Sequence, residues 1–423
     1  MHVDINSCFA TIEQQANPRL RGLPVAVAAY VEDHGCILAA SKEAKKLGIK
    51  TGMRVRDGKF LYPNLVVLPP DPNKYRFVNR QLLKLLSGYS TEVSVESIDE
   101  MVLSLAGMPV ITERLEHGYS VEQAMDGVAR EIKRRIKSEI GEWLTVSIGI
   151  APNRYLAKVA SGLHKPDGLD CITGKTIVDI FKNLKLEDLC GIKTGNANRL
   201  RAAGIYTPLA MFRADAKKLQ QAFHSIVGYH WWQRLHGWDP SASSGQETFS
   251  GFQSNQEQKS FGQSYALGKP YNPQETGLHQ ILAQLVTKMG RRMRIAGFTA
   301  RGMGVSTLFT DYTHWHTQET YRDSFYADAH LYHRLLSMLV GAPKKPVRIL
   351  AVYTFHLQHD LYQQGSLLET DIKEEHVTQA LDAIHDRWGD FVVTSGRMLN
   401  MDQKVLDRIA FGKVKDIDKV ATG

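Results

Sequence analysis

The chain has 423 residues, a formal net charge of +8 and a pI of about 9.1. This length accommodates two to four domains, and the basic balance suits a polyanionic partner without proving one. The four cysteines stand apart with no CxxC pair, which argues against a disulfide framework or a zinc site. No apolar run is long enough to span a bilayer and no charged-then-apolar leader opens the chain. We therefore expect a cytoplasmic protein with no membrane contact.

The N-terminus places a carboxylate at the end of a predicted strand. Val3 and Ile5 flank Asp4 in the alternation typical of a strand, and a helix-like run follows over residues 8–15. Asp4 should therefore lie close to the backbone N–H groups of the turn that follows the strand.

Residues 16–69 have the pattern of a small module of strands and helices. Strands are predicted at 24–29 and 35–40, and a helix at 41–47 stops at Gly48. The polar face of this helix carries lysines that suit triphosphate oxygens or form a solvated surface: Lys42, Lys45 and Lys46.

Two adjacent carboxylates, Asp99 and Glu100, lie within the apolar stretch 93–103. A strand would point them to opposite faces, whereas a tight turn between two strands would aim both at one point. Such carboxylates repel each other unless a cation lies between them, and Mg²⁺ suits that role. The alternative is a hairpin tip with solvated acids. With Asp4 nearby, three carboxylates would form a two-metal site for phosphoryl transfer.

Helical periodicity predicts helices at 73–88 and 121–140, which favours an antiparallel sheet backed by helices. Residues 169–240 indicate a small helical domain with a helix-hairpin-helix pattern, whose second helix is predicted at 196–203. The turn amides of such a hairpin bind a DNA phosphate without reading bases, although the pattern also fits an ordinary helical turn. The candidate phosphate-binding residues are Gly191, Lys193, which replaces the usual second glycine, and Gly195.

The C-terminal half follows a flexible tether. Basic Arg301, with Gly302 and Gly304, would let a DNA backbone approach a sheet closely. A further helix at 374–388 carries the apolar stripe Val377, Leu381, Ile384 and Trp388. The main predicted elements are strands at 260–267, 300–309 and 347–355 and helices at 278–293 and 328–340.

The sequence resembles the Y-family of translesion DNA polymerases in five motifs, which follow the family's order over the first 240 residues or so. The C-terminal half resembles the family by pattern, with the order βαββαβ of its little finger. The motifs are Asp4-x-Asn6-x-x-Phe9-Ala10, residues 17–27, residues 40–53, Ser97-Ile98-Asp99-Glu100, and residues 146–168.

The resemblance implies an α+β multidomain fold with the shape of a right hand. Its parts would be a catalytic palm, fingers, a helical thumb with the helix-hairpin-helix, and a βαββαβ little finger that binds DNA. The corresponding boundaries are palm 1–15 and 70–166, fingers 16–69, thumb 167–240, linker 241–256, little finger 257–357 and C-terminal extension 358–423.

The resemblance also implies the active-site residues. Two Mg²⁺ ions, or Mn²⁺, would be held by the catalytic carboxylates Asp4, Asp99 and Glu100 and by the Ile5 carbonyl. Lys45, Lys165 and Lys42 would bind the triphosphate, although the family often has Arg and Tyr where Lys45 and Lys42 stand. Phe9 and Ala10 would also bind the nucleotide, and Phe9 would be the steric gate that excludes a ribose 2′-hydroxyl.

The implied function is template-directed, error-prone extension of a primer past DNA lesions. The partners would be primer-template DNA and deoxynucleoside triphosphates, bound by a monomer associated with the nucleoid. Gln364, Leu367 and Leu368 resemble a peptide that binds a sliding clamp, although such short peptides also arise by chance.

Two other classes of protein share parts of this pattern. A non-catalytic mutagenesis accessory protein on the same scaffold would bind DNA, but such relatives lose metal carboxylates and this chain keeps all three. A palm-type cyclase would need neither a helical thumb nor a basic C-terminal domain. The sequence therefore favours the polymerase.

Overall fold

The computed structural model describes residues 1–239, 259–359, 369–389 and 391–401. These residues belong to two compact units, the first ending and the second beginning within the undescribed segment after residue 239. The predicted linker and the predicted clamp peptide with Gln364, Leu367 and Leu368 lie outside the described residues. Within the described residues, no helix is both long enough and apolar enough to cross a bilayer.

The first unit alternates short strands and helices. Its strands are β1 (His2–Ile5), β2 (Val25–Ala28), β3 (Ile37–Ala40), β4 (Val66–Leu68), β5 (Val93–Val95), β6 (Glu100–Leu103), β7 (Val146–Ile150) and β8 (Leu169–Cys171). Its helices are α1 (Cys8–Ala16), α2 (Lys42–Lys46), α3 (Val55–Leu61), α4 (Pro72–Leu86), α5 (Pro109–Glu116), α6 (Val121–Arg135), α7 (Arg154–Gly162), α8 (Ile177–Asn183), α9 (Thr194–Ala202), α10 (Pro208–Arg213), α11 (Ala216–Phe223) and α12 (Val227–Leu235).

The largest sheet within residues 1–239 has the order β5-β6-β1-β7-β8, so β1 is central. All four residues of β1 are buried, and the strand is antiparallel to β6 and β7. The predicted antiparallel sheet is thus confirmed, except that β8 joins β7 in parallel. Apolar residues of α1, α4 and α6 cover the sheet, because each helix turns one apolar stripe inward.

The helix predicted at 121–140 changes its form near its end. Ser120 and Gln123 form a reciprocal capping box at the start of α6. The α-helix ends at Arg135, and Ile136–Ile140 continue as a π-helical turn closed by the Gly141 N–H on the Ile136 carbonyl. Such turns are rare, and periodicity alone does not separate them from an α-helix.

Residues 25–68 build a separate small sheet, ordered β3-β2-β4. Its core combines small side chains, Ala26, Ala28 and Ala40, with larger apolar ones such as Ile37 and Ile49. The Ser41 side chain accepts the Ala44 N–H and caps α2. Residues 177–235 then form the predicted helical region, α8 to α12, around its own apolar core.

The second unit is a four-stranded sheet, within residues 259–359, packed against two helices. The strand order is β11-β10-β12-β9. The order βαββαβ is confirmed, but β11 lacks a predicted counterpart because most of its side chains are polar and exposed. The elements are β9 (Ser260–Tyr271), α13 (Thr276–Ile295), β10 (Phe298–Phe309), β11 (His314–Phe325), α14 (Asp328–Val340) and β12 (Val347–His359).

The C-terminal helix α15 (Glu369–Trp388) belongs to the second unit but does not dock through its predicted apolar stripe alone. Val377 and Trp388 are 59% and 64% exposed. The buried side chains are polar, Thr378 and His385, and Asp382 binds Arg294 of α13. Leu381 and Ile384 of the stripe are only half-buried, so polar contacts contribute to this packing beside apolar ones.

Candidate active site

The two predicted carboxylate segments lie side by side on neighbouring strands. Asp4 on β1 is paired with Glu100 on β6 and with Ser147 on β7. The Ile5 N–H donates to the Asp99 carbonyl at 2.9 Å, which ties the end of β1 to the turn before β6. Strand pairing therefore brings two motifs that are distant in sequence to one end of the sheet.

The turn between β5 and β6 lets both acidic residues serve one site. Glu100 is the first residue of β6, whereas Asp99 lies outside the strand and escapes its alternation of faces. Asn79 on α4 donates to a carbonyl of the turn at 2.8 Å, and Ser97 Oγ donates to Asp99 Oδ1 at 2.6 Å. The Asp99 carboxylate is thereby held where it interacts with the charges of Asp4 and Glu100.

Two lysines reach these carboxylates. Lys165 Nζ lies 2.5 Å from Asp4 Oδ2, and Lys158 Nζ lies 2.6 Å from Glu100 Oε2. The two lysine side chains are 42% and 40% exposed, but the carboxylate side chains are only 9% and 18% exposed. Flexible, solvated ammonium groups thus reach buried acids.

Burial destabilises the charged forms of two of the three carboxylates. Desolvation raises the pKa of Asp4 to about 6, although Lys165 opposes the shift. Burial also raises the pKa of Asp99 above its usual value. Burial acts in the same direction on Glu100, but the hydrogen bond and charge of Lys158 outweigh it and lower that pKa. Two destabilised carboxylates side by side favour a bound cation.

The donor set fits a hard divalent cation. The candidate ligand atoms of His2, Asp4 and Glu100 lie within 4.8 Å of one another. Asp99 supplies further carboxylate oxygens, the ligand type that Mg²⁺ prefers, and burial, which raises its pKa, would favour a cation beside its charged form. Both ring nitrogens of His2 are buried without a hydrogen-bond partner among the described residues.

Lys45 and Lys42 on α2 occupy different surroundings. Burial lowers the pKa of Lys45, with a further lowering from Lys165 and an opposing effect of Asp4, so Lys45 faces the carboxylate cluster. Lys42 Nζ instead lies 4.4 Å from the ring centroid of Trp143. The structure thus brings Lys45 and Lys165 together and directs Lys42 toward another partner. Nucleotide binding by these lysines stays a prediction.

Phe9 and Ala10 lie in the first turn of α1, directly after β1, and both are buried. The Phe9 ring stacks on Tyr75 of α4 with 4.2 Å between centroids and 9° between planes. Ser7, the N-cap residue, has φ of 51°, and this left-handed turn leads the chain from strand to helix. The steric-gate role of Phe9 stays a prediction.

The predicted phosphate-binding turn precedes α9, which begins at Thr194, two residues before the predicted start. Gly191 has φ of 86°, a left-handed conformation that favours glycine. Lys193 is the N-cap residue and Gly195 lies in the first helical turn. The replacement of a glycine by Lys193 is therefore compatible with this turn, whose binding of phosphate stays a prediction.

The structure gives Gly302 and Gly304 of β10 a different role from the predicted one. They pair with Phe355 and Tyr353 on β12, and a Cβ at either glycine would clash with the opposite ring. These rings block the close approach of a DNA backbone that the glycines suggested. Arg301 Nε donates to a backbone carbonyl of β11 at 3.3 Å, and its contact with DNA stays a prediction.

Sequence reasoning missed several residues of the site. His2 had a usable signal, because two-residue spacing on β1 places it on the same face as Asp4. No sequence pattern marked Lys158 and Asn79, because both contact the site only through tertiary packing. Asn6 donates to Ser147 and accepts the N–H of a residue in the turn after Lys165, which links β1 to the loop that carries this lysine.

Comparison with known proteins gives the family. The model of the impB/mucB/samB family matches residues 3–162, and the model of its C-terminal domain matches residues 258–367. DNA polymerase IV of Moorella thermoacetica is 30% identical over 403 residues, which cover 92% of this chain and 93% of that protein. DNA polymerase IV of Pelotomaculum thermopropionicum is 29% identical, over 92% of each chain.

Solved structures agree with this assignment. A Y-family DNA polymerase chimera, Dbh-Dpo4(243-245)-Dbh, has a TM-score of 0.69 and 22% identity, covering 84% of this chain and 98% of the chimera. The chain belongs to the Y-family of translesion DNA polymerases. An insertion ternary complex of Dbh DNA polymerase, with a TM-score of 0.54 and 22% identity, covers 84% of this chain and 97% of its own.

This membership confirms the predicted fold class and function. The Y-family chain is a DNA-directed DNA polymerase that carries out error-prone translesion synthesis, and its family depends on divalent metal. The carboxylate cluster lies within residues 3–162, the part matched by the first family model.

Proposed function

We propose that Asp4, Asp99 and Glu100, with the Ile5 carbonyl, hold two Mg²⁺ ions for nucleotidyl transfer. The convergence of these carboxylates at the end of β1 carries the proposal, because their buried charge is only partly offset by lysines. When bound, divalent cations activate the primer hydroxyl and stabilise the charge of the triphosphate and its leaving group. Mn²⁺ suits the same oxygen ligands.

Lys165 and Lys45 neutralise the triphosphate of the incoming nucleotide. Lys165 contacts Asp4 through a half-exposed side chain, so its ammonium can turn to phosphate oxygens at little cost. Lys45 comes from the opposite side, on α2, and its lowered pKa reflects burial close to Lys165. Phosphoryl transfer needs positioning and charge neutralisation more than covalent chemistry by side chains, so this small set suffices.

Phe9 selects the sugar by exclusion. Its ring stacks on Tyr75 and lies in the first turn of the helix that directly follows the strand that carries Asp4. A rigid ring under the sugar leaves no room for a 2′-hydroxyl, and deoxynucleotides are therefore preferred.

Primer-template DNA is the polyanion that the basic chain binds. Gly191, Lys193 and Gly195 present amides and charge to a DNA phosphate, and Arg301 adds a cation in the second unit. The protein acts as a monomer on the nucleoid in the cytoplasm. The peptide with Gln364, Leu367 and Leu368 tethers it to a sliding clamp.

Primer extension with four deoxynucleotides and Mg²⁺ tests the proposal, on an undamaged template and on one with an abasic site. Wild type should extend distributively and pass the lesion, and Asp99→Ala should abolish both activities. Asp126→Ala is the matched control, because Asp126 is a half-exposed carboxylate on α6 that pairs with Arg130. This control should extend like wild type.

The opposite result would favour the accessory class. Asp99→Ala that extends as well as wild type, or DNA binding without any extension, would remove Asp99 from the catalytic centre. Isothermal titration with Mn²⁺ in the absence of nucleotide gives a second readout. Asp99→Ala should weaken metal binding, and Asp126→Ala should not.

A further inference from the structure

Three side chains lie behind the Phe9 ring, the proposed steric gate. The Phe9 ring stacks on Tyr75, with 4.2 Å between centroids and 9° between the ring planes. The Tyr75 hydroxyl donates to Glu13 Oε1 at 3.0 Å, and Lys74 Nζ lies 2.8 Å from Glu13 Oε2. We call Phe9, Tyr75, Glu13 and Lys74 the gate cluster.

The helices that carry the gate cluster make the arrangement specific. Phe9 and Glu13 are four residues apart on α1, so they lie on the same face of the helix. Tyr75 and Lys74 occupy the first turn of α4. One face of α1 thus presents both the gate ring and the carboxylate that binds the partner of that ring.

The hydrogen bond of the Tyr75 hydroxyl restrains the Tyr75 ring in a way that stacking alone does not. Nearly parallel rings attract each other but slide within their planes at little cost, because the contact energy is spread over many weak atom pairs. The bond from Tyr75 to Glu13 fixes one edge of the Tyr75 ring. A fixed Tyr75 in turn fixes the surface on which Phe9 rests.

Burying the Glu13 carboxylate costs free energy, which indicates that this residue has a structural or functional role. Its relative exposure is 6%, and that of Tyr75 is 1%. A buried carboxylate is tolerated when it is paired and hydrogen-bonded, which Lys74 and Tyr75 provide. Burial raises the pKa of Tyr75 above its usual value, so the hydroxyl stays protonated and keeps donating. The hydrogen bond with Glu13 raises the pKa of Lys74, which stays charged.

We propose that Glu13 is a positioning residue that acts through Tyr75 to hold the Phe9 ring in place, and thereby sets how strongly ribonucleotides are excluded. The inference rests on the proposed role of Phe9. Exclusion of one hydroxyl by one ring depends on a steep repulsion, so a small displacement of the ring changes the discrimination. Glu13 touches neither the sugar nor the reacting atoms.

The experiment measures kcat/KM for a deoxynucleotide and for the matching ribonucleotide in single-nucleotide primer extension. Tyr75→Phe keeps the ring and deletes the hydroxyl, and should lower the discrimination ratio roughly threefold to tenfold, as expected for one hydrogen bond. The change should appear mainly in the KM for the ribonucleotide. Glu13→Ala should lower the ratio at least as much, whereas Glu13→Gln, which keeps an acceptor oxygen, should restore most of it.

Tyr89→Phe is the matched control. Tyr89 is also buried, and its hydroxyl donates to Glu131 at 2.8 Å. Loss of this hydroxyl should leave the discrimination ratio unchanged. A Phe9→Leu background lacks the gate ring that Tyr75 would position. In that background, Tyr75→Phe should therefore not change the discrimination ratio further.

Two results would contradict the inference, and they are distinguishable. If Phe9→Leu lowers the ratio but Tyr75→Phe and Glu13→Ala leave it unchanged, or reduce kcat/KM equally for both sugars, the gate stands and its positioning by Glu13 is overturned. If Phe9→Leu leaves the ratio unchanged, the proposed gate fails and the inference fails with it. Tyr75→Phe keeps the test valid even if Glu13→Ala does not fold, since it removes a single oxygen.

Discussion

The two units each bury a cluster of charge, and the clusters differ in how completely the charges are paired. In the first unit, Asp4 and Glu100 contact Lys165 and Lys158, whose side chains are 42% and 40% exposed. In the second, the Arg294 side chain is 3% exposed and binds Asp328 at 2.7 Å and Asp382 at 2.6 Å.

Both clusters contain an acid whose charge is destabilised by burial, because burial raises the pKa of Asp328 as well as that of Asp4. The clusters differ in the exposure of the basic partner, which is high for the lysines and low for Arg294. Burial raises the pKa of Asp4 to about 6, so its charge is incompletely offset. Burial by itself would lower the pKa of Arg294, but its hydrogen bonds to Asp382 and Asp328 outweigh it and raise that pKa. A rigid guanidinium fork satisfied by two carboxylates stabilises structure. Buried acids with displaceable partners mark a site for a ligand.

The largest effect on activity is expected at the carboxylates of the first unit. Asp99→Asn should reduce kcat about 10³-fold or more, because a metal ligand contributes several kcal/mol of transition-state stabilisation. The same change should raise metal-free stability by about 1 kcal/mol, since it removes a destabilised buried charge. Single-turnover primer extension and urea unfolding in EDTA measure the two effects. Equal or lower stability of Asp99→Asn would mean that the charges of the cluster are already balanced.

The opposite behaviour is expected in the second unit. Arg294→Met should lower the free energy of unfolding by about 3–5 kcal/mol, because it leaves buried carboxylates unpaired. Replacing the partners as well, in Arg294→Met/Asp328→Asn/Asp382→Leu, should recover most of that loss. Urea unfolding monitored by circular dichroism checks both changes. Arg130→Met, which removes an exposed bidentate pair with Asp126, is the control and should leave stability unchanged.

A smaller effect is expected at the displaceable lysine. Lys165→Met should lower kcat/KM for deoxynucleotides about 30-fold, the loss of one charge-assisted interaction with the triphosphate. Steady-state single-nucleotide insertion measures it. Lys182→Met, in a more exposed pair with Asp179 on α8, should insert at the wild-type rate. A wild-type rate for Lys165→Met would show that Lys165 serves only to neutralise Asp4.

The smallest effect concerns an uncharged polar group. Asn153 caps α7 through its side-chain oxygen and donates to the carbonyls of Arg234, in the last turn of α12, and Trp238, after it, at 2.8 and 2.9 Å. Asn153→Ala should therefore cost about 2 kcal/mol of stability. Asp215→Ala removes only a helix cap, on α11, and should cost about 1 kcal/mol. Equal losses in thermal unfolding would mean that the two carbonyl contacts contribute nothing.

Several features could be predicted from short stretches of sequence. The alternation around Asp4, the acidic pair Asp99 and Glu100, and the glycine stop after α2 each lie within a few residues of chain. The motifs were sufficient to predict the fold class and the polymerase function. The polar strand β11 was missed because an edge strand needs no apolar alternation to pair with its neighbour.

The side-chain contacts of the site became visible only in the folded chain. Strand pairing brought Asp4 beside Glu100, and packing of α7 brought Lys158 to Glu100. Packing of α4 on α1 placed Tyr75 against Phe9. Packing of α15 brought Asp382 and Asp386 to arginines of α13. Each of these contacts joins residues far apart in the chain, so periodicity and propensity, which depend on neighbours in sequence, carry no information about them.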